Sequence, residues 1–254
     1  MATPRALVLR AAGINCDEET AFAWEMAGAQ AERIHVNRLL ESPDALDSFQ
    51  ILTIPGGFSY GDAIASGTIL GWQLAHGLGD PIRRFIDRGG VVLGVCNGFQ
   101  VLVRAGMLPG PGCDVPVTLT LNASARYEDR WVRVRAETSN CIFFEPGEEF
   151  DYPVAHGEGQ FAVADAGALA ALKSQGRIAL CYVDRAGGEP QYPANPNGSI
   201  GAVAGLTDGT GRVLGLMPHP ERNLFSSSHP LWTRSGNAES DGPRIFQRAI
   251  RHFR

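Results

Sequence analysis

The chain has 254 residues, with 22 Lys and Arg against 27 Asp and Glu for a net charge of −5, and 44% of it is hydrophobic. That is enough to bury the core of one compact α/β unit, expected to span residues 1–254, and without a basic stripe it argues against a nucleic-acid partner. No apolar run approaches the ~20 residues of a bilayer span, the N-terminus lacks a signal-peptide pattern, and five cysteines (Cys16, Cys96, Cys113, Cys141, Cys181) without a Cys-x-x-Cys pair argue against a disulfide framework or a zinc site and fit a reduced cytoplasmic compartment.

The first half alternates strand and helix signals. Ala6 to Arg10 reads as a strand. A helix follows to Ala27, with Phe22 and Met26 on one face, Gly28 as its stop and Asn15 or Asp17 at its start. Beside that start, Asp17, Glu18 and Glu19 crowd Cys16 with negative charge, which raises a thiol pKa. Arg33 to Val36 is a second strand, and Ser42-Pro43 opens a short helix in cap-then-proline order. The strand Ile51 to Ile54 delivers the loop Pro55-Gly56-Gly57. Asp80-Pro81 opens a helix stopped by Gly89-Gly90, and Val91-Val92-Leu93 is apolar enough for a buried strand. A helix-like stretch from Phe99 to Ala105, closed by Gly106, comes next. Repeated strand–helix units predict a mostly parallel sheet with helices on both faces, and ligands bind such sheets at the carboxyl ends of the strands.

The second half changes character. Val117 to Leu121 and the alternating Arg130 to Arg135 read as antiparallel strands. Gly201 to Leu206, the turn Asp208-Gly209-Thr210-Gly211, and Val213 to Met217 predict a hairpin. Residues 226–242 turn polar and read as a surface excursion. Ile245, Phe246, Ala249, Ile250 and Phe253 then define one face of a terminal helix.

The chemistry gathers at Gly94-Val95-Cys96-Asn97-Gly98-Phe99-Gln100. A nucleophile stands at the bend of a strand–turn–helix unit, with glycine two residues either side. At a helix N-terminus the dipole favours a thiolate. A cysteine nucleophile also needs a base held by a carboxylate. Pro218-His219-Pro220-Glu221, after the strand ending at Met217, offers both on an extended segment stiffened by prolines. His156-Gly157-Glu158 is a second His-x-Glu. It could do the same work, but its glycines make it flexible, so it reads as site rim or partner surface and His219 with Glu221 is preferred.

The elbow with Gln100 and the His-Pro-Glu element resemble class I, triad-type glutamine amidotransferases, which have a flavodoxin-like fold. The segments Asn15-Cys16-Asp17, Pro55 to Asp62, His156 to Gly159, Asn195 to Ser199 and Met217 to Arg222 narrow the resemblance to the glutaminase subunits of phosphoribosylformylglycinamidine synthase. Ala12-Gly13-Ile14 departs from the family's usual proline and small hydroxyl residue around this glycine. The resemblance implies hydrolysis of glutamine through a thioester on Cys96, with His219 shuttling the proton and Glu221 orienting it. It also implies an oxyanion hole from the amides of Gly57 and Asn97, and Gln100 facing the bound glutamine. Ammonia would pass to a large synthetase subunit for de novo purine biosynthesis, with a small third subunit joining the complex. No P-loop is present here, so this chain would bind no cofactor, and ATP and magnesium belong on the partner. Rival readings are an amidotransferase serving another synthetase, a cysteine peptidase, and a catalytically silent glutamine-sensing subunit.

Overall fold

Four short buried runs, Ala6–Leu9, Ile51–Ile54, Val91–Val95 and Val213–Leu216, form the centre of the sheet in a computed structural model that describes residues 3–138, 140–235 and 239–254. The first half runs β1 (Arg5–Arg10), α1 (Asp17–Ala27), β2 (Gln30–His35), α2 (Val36–Glu41), β3 (Ile51–Ile54), α3 (Thr68–Gln73), α4 (Gly79–Asp87), β4 (Val91–Val95) and α5 (Asn97–Arg104). The second half supplies β5 (Val117–Thr120), β6 (Glu128–Ala136), β7 (Glu149–His156), β8 (Gln160–Val163), α6 (Ala166–Ser174), β9 (Ile178–Val183), β10 (Val203–Thr207), β11 (Val213–Leu216), α7 (Trp232–Ser235) and α8 (Gly242–Arg251). No helix among the described residues is long and apolar enough to cross a membrane.

Nine strands form one sheet in the order β2-β1-β3-β4-β11-β10-β9-β6-β7. From β2 to β11 all neighbours are parallel, and from β11 to β7 all are antiparallel. The expected parallel half, the hairpin and the terminal helix are therefore present. Val117–Thr120 and Glu128–Ala136 are both antiparallel strands but lie in different sheets, because β5 pairs with β8 in a separate ribbon. The segment before Asp80 is already helical from Thr68, continuing through a π turn at Leu74–Leu78.

The register places the carboxyl ends of β1, β3, β4 and β11 on one edge, which gathers the loops that follow them. β7 also returns to that edge. It stands five places from β4 along the sheet, yet the Pro153 carbonyl accepts from the His219 N–H at 2.8 Å and the Ala155 carbonyl lies 3.6 Å from Cys96 Sγ. The antiparallel half thus curls over the elbow.

Thr20, Ala23 and Trp24 of α1 are buried, while Phe22 and Met26 share one face as expected, the outward one. Trp24 donates to Thr53 Oγ1 at 2.8 Å and meets Phe246 edge-on at 4.9 Å, locking α8 onto α1. Burying a side chain such as Phe246 contributes roughly 1.5–3 kcal/mol. Ile245, Ala249 and Ile250 complete the inward face of α8. In the polar excursion the described residues are largely exposed; positions 236–238 lie outside them.

Candidate active site

Cys96 takes φ 51°, ψ −105° between β4 and α5. Such a conformation costs a non-glycine residue on the order of 1–3 kcal/mol and persists only where the surroundings enforce it. Here its N–H donates to Leu216 O at 2.8 Å, and its carbonyl accepts from Phe99 and Gln100 at 3.0 and 3.1 Å. The flanking glycines have a steric cause. A Cβ on Gly98 would stand 1.8 Å from the Ile54 carbonyl, and one on Gly94 would stand 2.7 Å from the Gly98 carbonyl. The elbow closes only because both are absent. Gly98→Ala is therefore expected to destabilise the fold by about 3 kcal/mol or more, read as a drop in the chemical-denaturation midpoint.

His219 follows β11 on the same edge. Pro220 begins a single 3-10 turn, Pro220–Arg222, rather than the extended segment expected, and the turn swings Glu221 back beside the ring. His219 Nδ1 donates to Glu221 Oε1 at 2.6 Å, with both side chains buried. Burial opposes charge on the ring, but the Glu221 carboxylate, Cys96 and Cys16 together hold His219 well above the ordinary imidazole value. The opposite nitrogen, Nε2, has no hydrogen-bond partner among the described residues. That leaves it available to exchange a proton with the thiol, which points at Ala155 O. Catalytic hydrogen bonds of this kind often tighten only with substrate.

Gly57 has φ +142°, and a Cβ there would lie 2.7 Å from Ile14 Cα. It is pressed against the loop after β1 through an antiparallel bridge between Ile14 and Gly57. The bridging bonds run from Phe58 N–H to Gly13 O and from Cys16 N–H to Gly56 O, so the Gly57 N–H is not spent on them. Asn97 is the first residue of α5, and its N–H has no intrahelical acceptor. The Asn97 side chain anchors the next loop. Its Oδ1 accepts from Ser59 N at 3.1 Å, and its Nδ2 donates to Gln100 Oε1 at 2.9 Å and Asp62 Oδ1 at 3.3 Å. Gln100 is buried and donates through Nε2 to the Glu158 carbonyl. Glu158 Oε2 accepts from Ser66 N at 3.2 Å. Burial, together with Glu158, raises the Asp62 carboxyl above its ordinary value.

The second His-x-Glu is not a flexible rim. His156 is buried at the end of β7, and its Nδ1 lies 3.1 Å from Asn122 Oδ1. The Asn122 Nδ2 donates to the carbonyls of Arg126 and His156, so Oδ1 is the acceptor and His156 carries its proton on Nδ1. Burial, then the charge of His219, pushes His156 down to about 3. Glu158 does not face it but belongs to the Gln100 network.

Cys16, not Asn15 or Asp17, caps α1, without a side-chain capping bond. Asp17 instead pairs with Arg10 and Arg33. The Cys16 thiol is raised, but by burial rather than by its acidic neighbours in sequence, with Glu221 adding to it and His219 and Arg222 opposing. Cys16, His219 and Glu221 place their ligand-type atoms within 4.8 Å of one another. Hydrogen bonds occupy that cluster: Glu221 holds His219 Nδ1, and Arg222 Nη2 donates to Cys16 Sγ at 3.0 Å.

Cysteine elbow, histidine–glutamate pair and glycine loop on one sheet edge are the layout of a triad-type amidotransferase, and residues 3–253 match the family of CobB/CobQ-like glutamine amidotransferase domains. The subunit PurQ of phosphoribosylformylglycinamidine synthase from Dehalococcoides mccartyi is 42% identical over 258 residues, covering 100% of this chain and 99% of that protein. The Picrophilus torridus PurQ is 41% identical, with 98% of each chain covered. A chain in the structure of PurLQS from Thermotoga maritima superposes with a TM-score of 0.75 at 30% identity, over 100% of both chains. The chain belongs to the PurQ family. A more distant likeness, to a glutamine amidotransferase from Methylobacillus flagellatus (TM-score 0.54, 12% identity, 99% of this chain and 96% of that one), concerns the fold alone.

Proposed function

We propose that the chain acts as one unit, the glutaminase subunit of phosphoribosylformylglycinamidine synthase. Cys96 Sγ attacks the side-chain carbonyl carbon of glutamine, and the oxyanion is met by the N–H groups of Gly57 and Asn97. His219 takes the thiol proton and gives it to the departing ammonia, while Glu221 keeps the ring in the Nδ1–H tautomer. Water, deprotonated by His219, then cleaves the thioester and releases glutamate. Gln100, fixed by Glu158 and Asn97, offers the free lone pair of Oε1 to the glutamine amide or amino group. Ammonia passes to a large synthetase subunit that holds ATP and magnesium, with a small third subunit in the complex. The observation that carries this reading is the buried His219–Glu221 pair on the edge where Cys96 is forced to positive φ.

The isolated chain is expected to be a poor glutaminase that its synthetase partner switches on. Free ammonia at neutral pH is mostly protonated, so ungated hydrolysis would waste glutamine. A rotation of the Gly56–Gly57 peptide would spoil the oxyanion hole, and glycine makes that rotation easy. Loss of one such donor costs on the order of 10² in rate. Glutamate release by the chain alone, with the synthetase, and with synthetase plus nucleotide and acceptor substrate should rise across the three. Equal turnover in all of them would identify an independent hydrolase.

A further inference from the structure

The proposed mechanism accounts for both nitrogens of the His219 ring, Nε2 at the thiol and Nδ1 at Glu221, but not for what packs against the ring around Cε1. Glu221 holds Nδ1, and a Cβ built on Gly56 would meet His219 Cε1 at 2.8 Å, Cys16 Sγ at 3.1 Å and His219 Nδ1 at 3.4 Å. The Cys16 sulfur itself lies within 4.8 Å of a ring nitrogen, and Gly56 packs against both that sulfur and the Nδ1–Cε1 edge of the ring. That edge becomes positive when His219 accepts the thiol proton. Cys16 does not sit in an aliphatic pocket as a small apolar filler would. Its Sγ accepts from Arg222 Nη2 at 3.0 Å and lies 3.4 Å from Asn15 Oδ1, to which it donates. Its N–H donates to the Gly56 carbonyl at 3.2 Å. Arg222 is itself held by Glu19 of α1 at 3.6 Å.

We infer that Cys16 is a positioning residue for His219. Its sulfur, fixed by Arg222, lies beside the ring that becomes charged, and its main-chain N–H is bonded to Gly56 of the oxyanion loop, which packs on the same ring. The inference rests on the proposed glutaminase role of His219. It also explains why the thiol is kept away from chemistry: the sulfur is buried, its donor and acceptor capacity are both in use, and burial holds it protonated. Two elements that must agree in the transition state, the base and the oxyanion loop, share this one residue. A loop shift at Gly56 would therefore be felt at His219 without any movement of Cys96.

The experiment uses the assembled synthetase complex, with glutamine-dependent and ammonia-dependent synthesis measured side by side for wild type, Cys16→Ala, Cys16→Ser and Cys96→Ala. Cys16→Ala is expected to lower kcat for glutamine about tenfold, with KM changed less than about twofold, because a displaced base weakens the transition state more than the ground state. Ammonia-dependent synthesis should stay at the wild-type level, which also reports intact assembly. Cys16→Ser should recover most of the loss, since a hydroxyl can still accept from Arg222 and donate to Asn15. Wild-type kcat in Cys16→Ala would overturn the inference. So would a Cys16→Ser variant as impaired as alanine with KM raised in parallel, the signature of packing alone. If Cys16→Ala does not assemble, Cys16→Ser decides: a kcat below about a third of wild type overturns the inference. A Cys96→Ala complex that still releases glutamate would instead sink the glutaminase reading, so the two failures are separable.

Discussion

A complex carrying Cys96→Ala is expected to lose glutamine-dependent amidine synthesis by at least ~10³-fold while retaining synthesis from added ammonia. The thiol supplies the only covalent step assigned to this chain, and an alanine methyl cannot form a thioester. The neighbouring machinery should survive the change. Cys96 is held in place by its backbone, through Leu216 O and the first turn of α5, and alanine keeps those bonds. Positive φ is tolerated no worse by alanine than by cysteine, so the elbow should keep its shape. The synthetase chemistry, fed with ammonia from solution, then bypasses the glutaminase. Both rates measured on the same purified complex decide the matter. Equal loss of both in an assembled complex would contradict the division of labour.

His219→Ala should cost 10²–10⁴-fold in glutaminase kcat, and His156→Ala no more than about tenfold. Both histidines are buried near the elbow, and their environments separate them. Glu221 at 2.6 Å supports a charged His219, whereas the side-chain hydrogen-bond partner of His156 among the described residues is the neutral Asn122 at 3.1 Å. With its value pushed down to about 3, His156 is too weak a base to take a thiol proton near neutrality. Its loss should appear in stability instead. Removing it leaves Asn122 Oδ1 with one donor fewer and opens a cavity, worth roughly 1–3 kcal/mol in a denaturant titration. A crippled His156→Ala enzyme of normal stability would reassign the base.

Sequence reading recovered β1, β3, β4 and β11 because those strands are short buried runs punctuated by helix stops; β2, Gln30–His35, is largely exposed and was read only from Arg33 and one residue too far, into α2. β7 escaped the reading although its inward positions alternate strictly, because Pro153 carries no N–H and speaks against a strand. The structure accommodates that proline on an edge strand, where a missing N–H leaves no ladder bond broken. The elbow and the His-Pro-Glu element were legible for a local reason: their chemistry is written in residues within a few positions of each other. The environment of His156 was not, since it depends on Asn122, 34 residues away. Cys16 was read from the charges beside it in sequence, yet its real neighbour Arg222 lies 206 residues downstream. Phe22 and Met26 share one helix face, and it is the outward one. Trp24 occupies the inward position, and Phe22 rests against Phe225 at 6.0 Å on the outside.

β11 is only four residues long, yet it joins the two halves of the sheet, parallel to β4 on one side and antiparallel to β10 on the other. During synthesis the ribosome delivers the strands on both flanks before residue 213 exists. Until then β4 and β10 present two unpaired edges, each a template for pairing with a foreign chain. The last central strand to be made is the one that closes the gap, and His219 arrives three residues behind it. A newborn chain therefore passes its most aggregation-prone moment just before it gains its base. A polypeptide stopped short of residue 213 should be recovered in inclusion bodies rather than as a weakened enzyme.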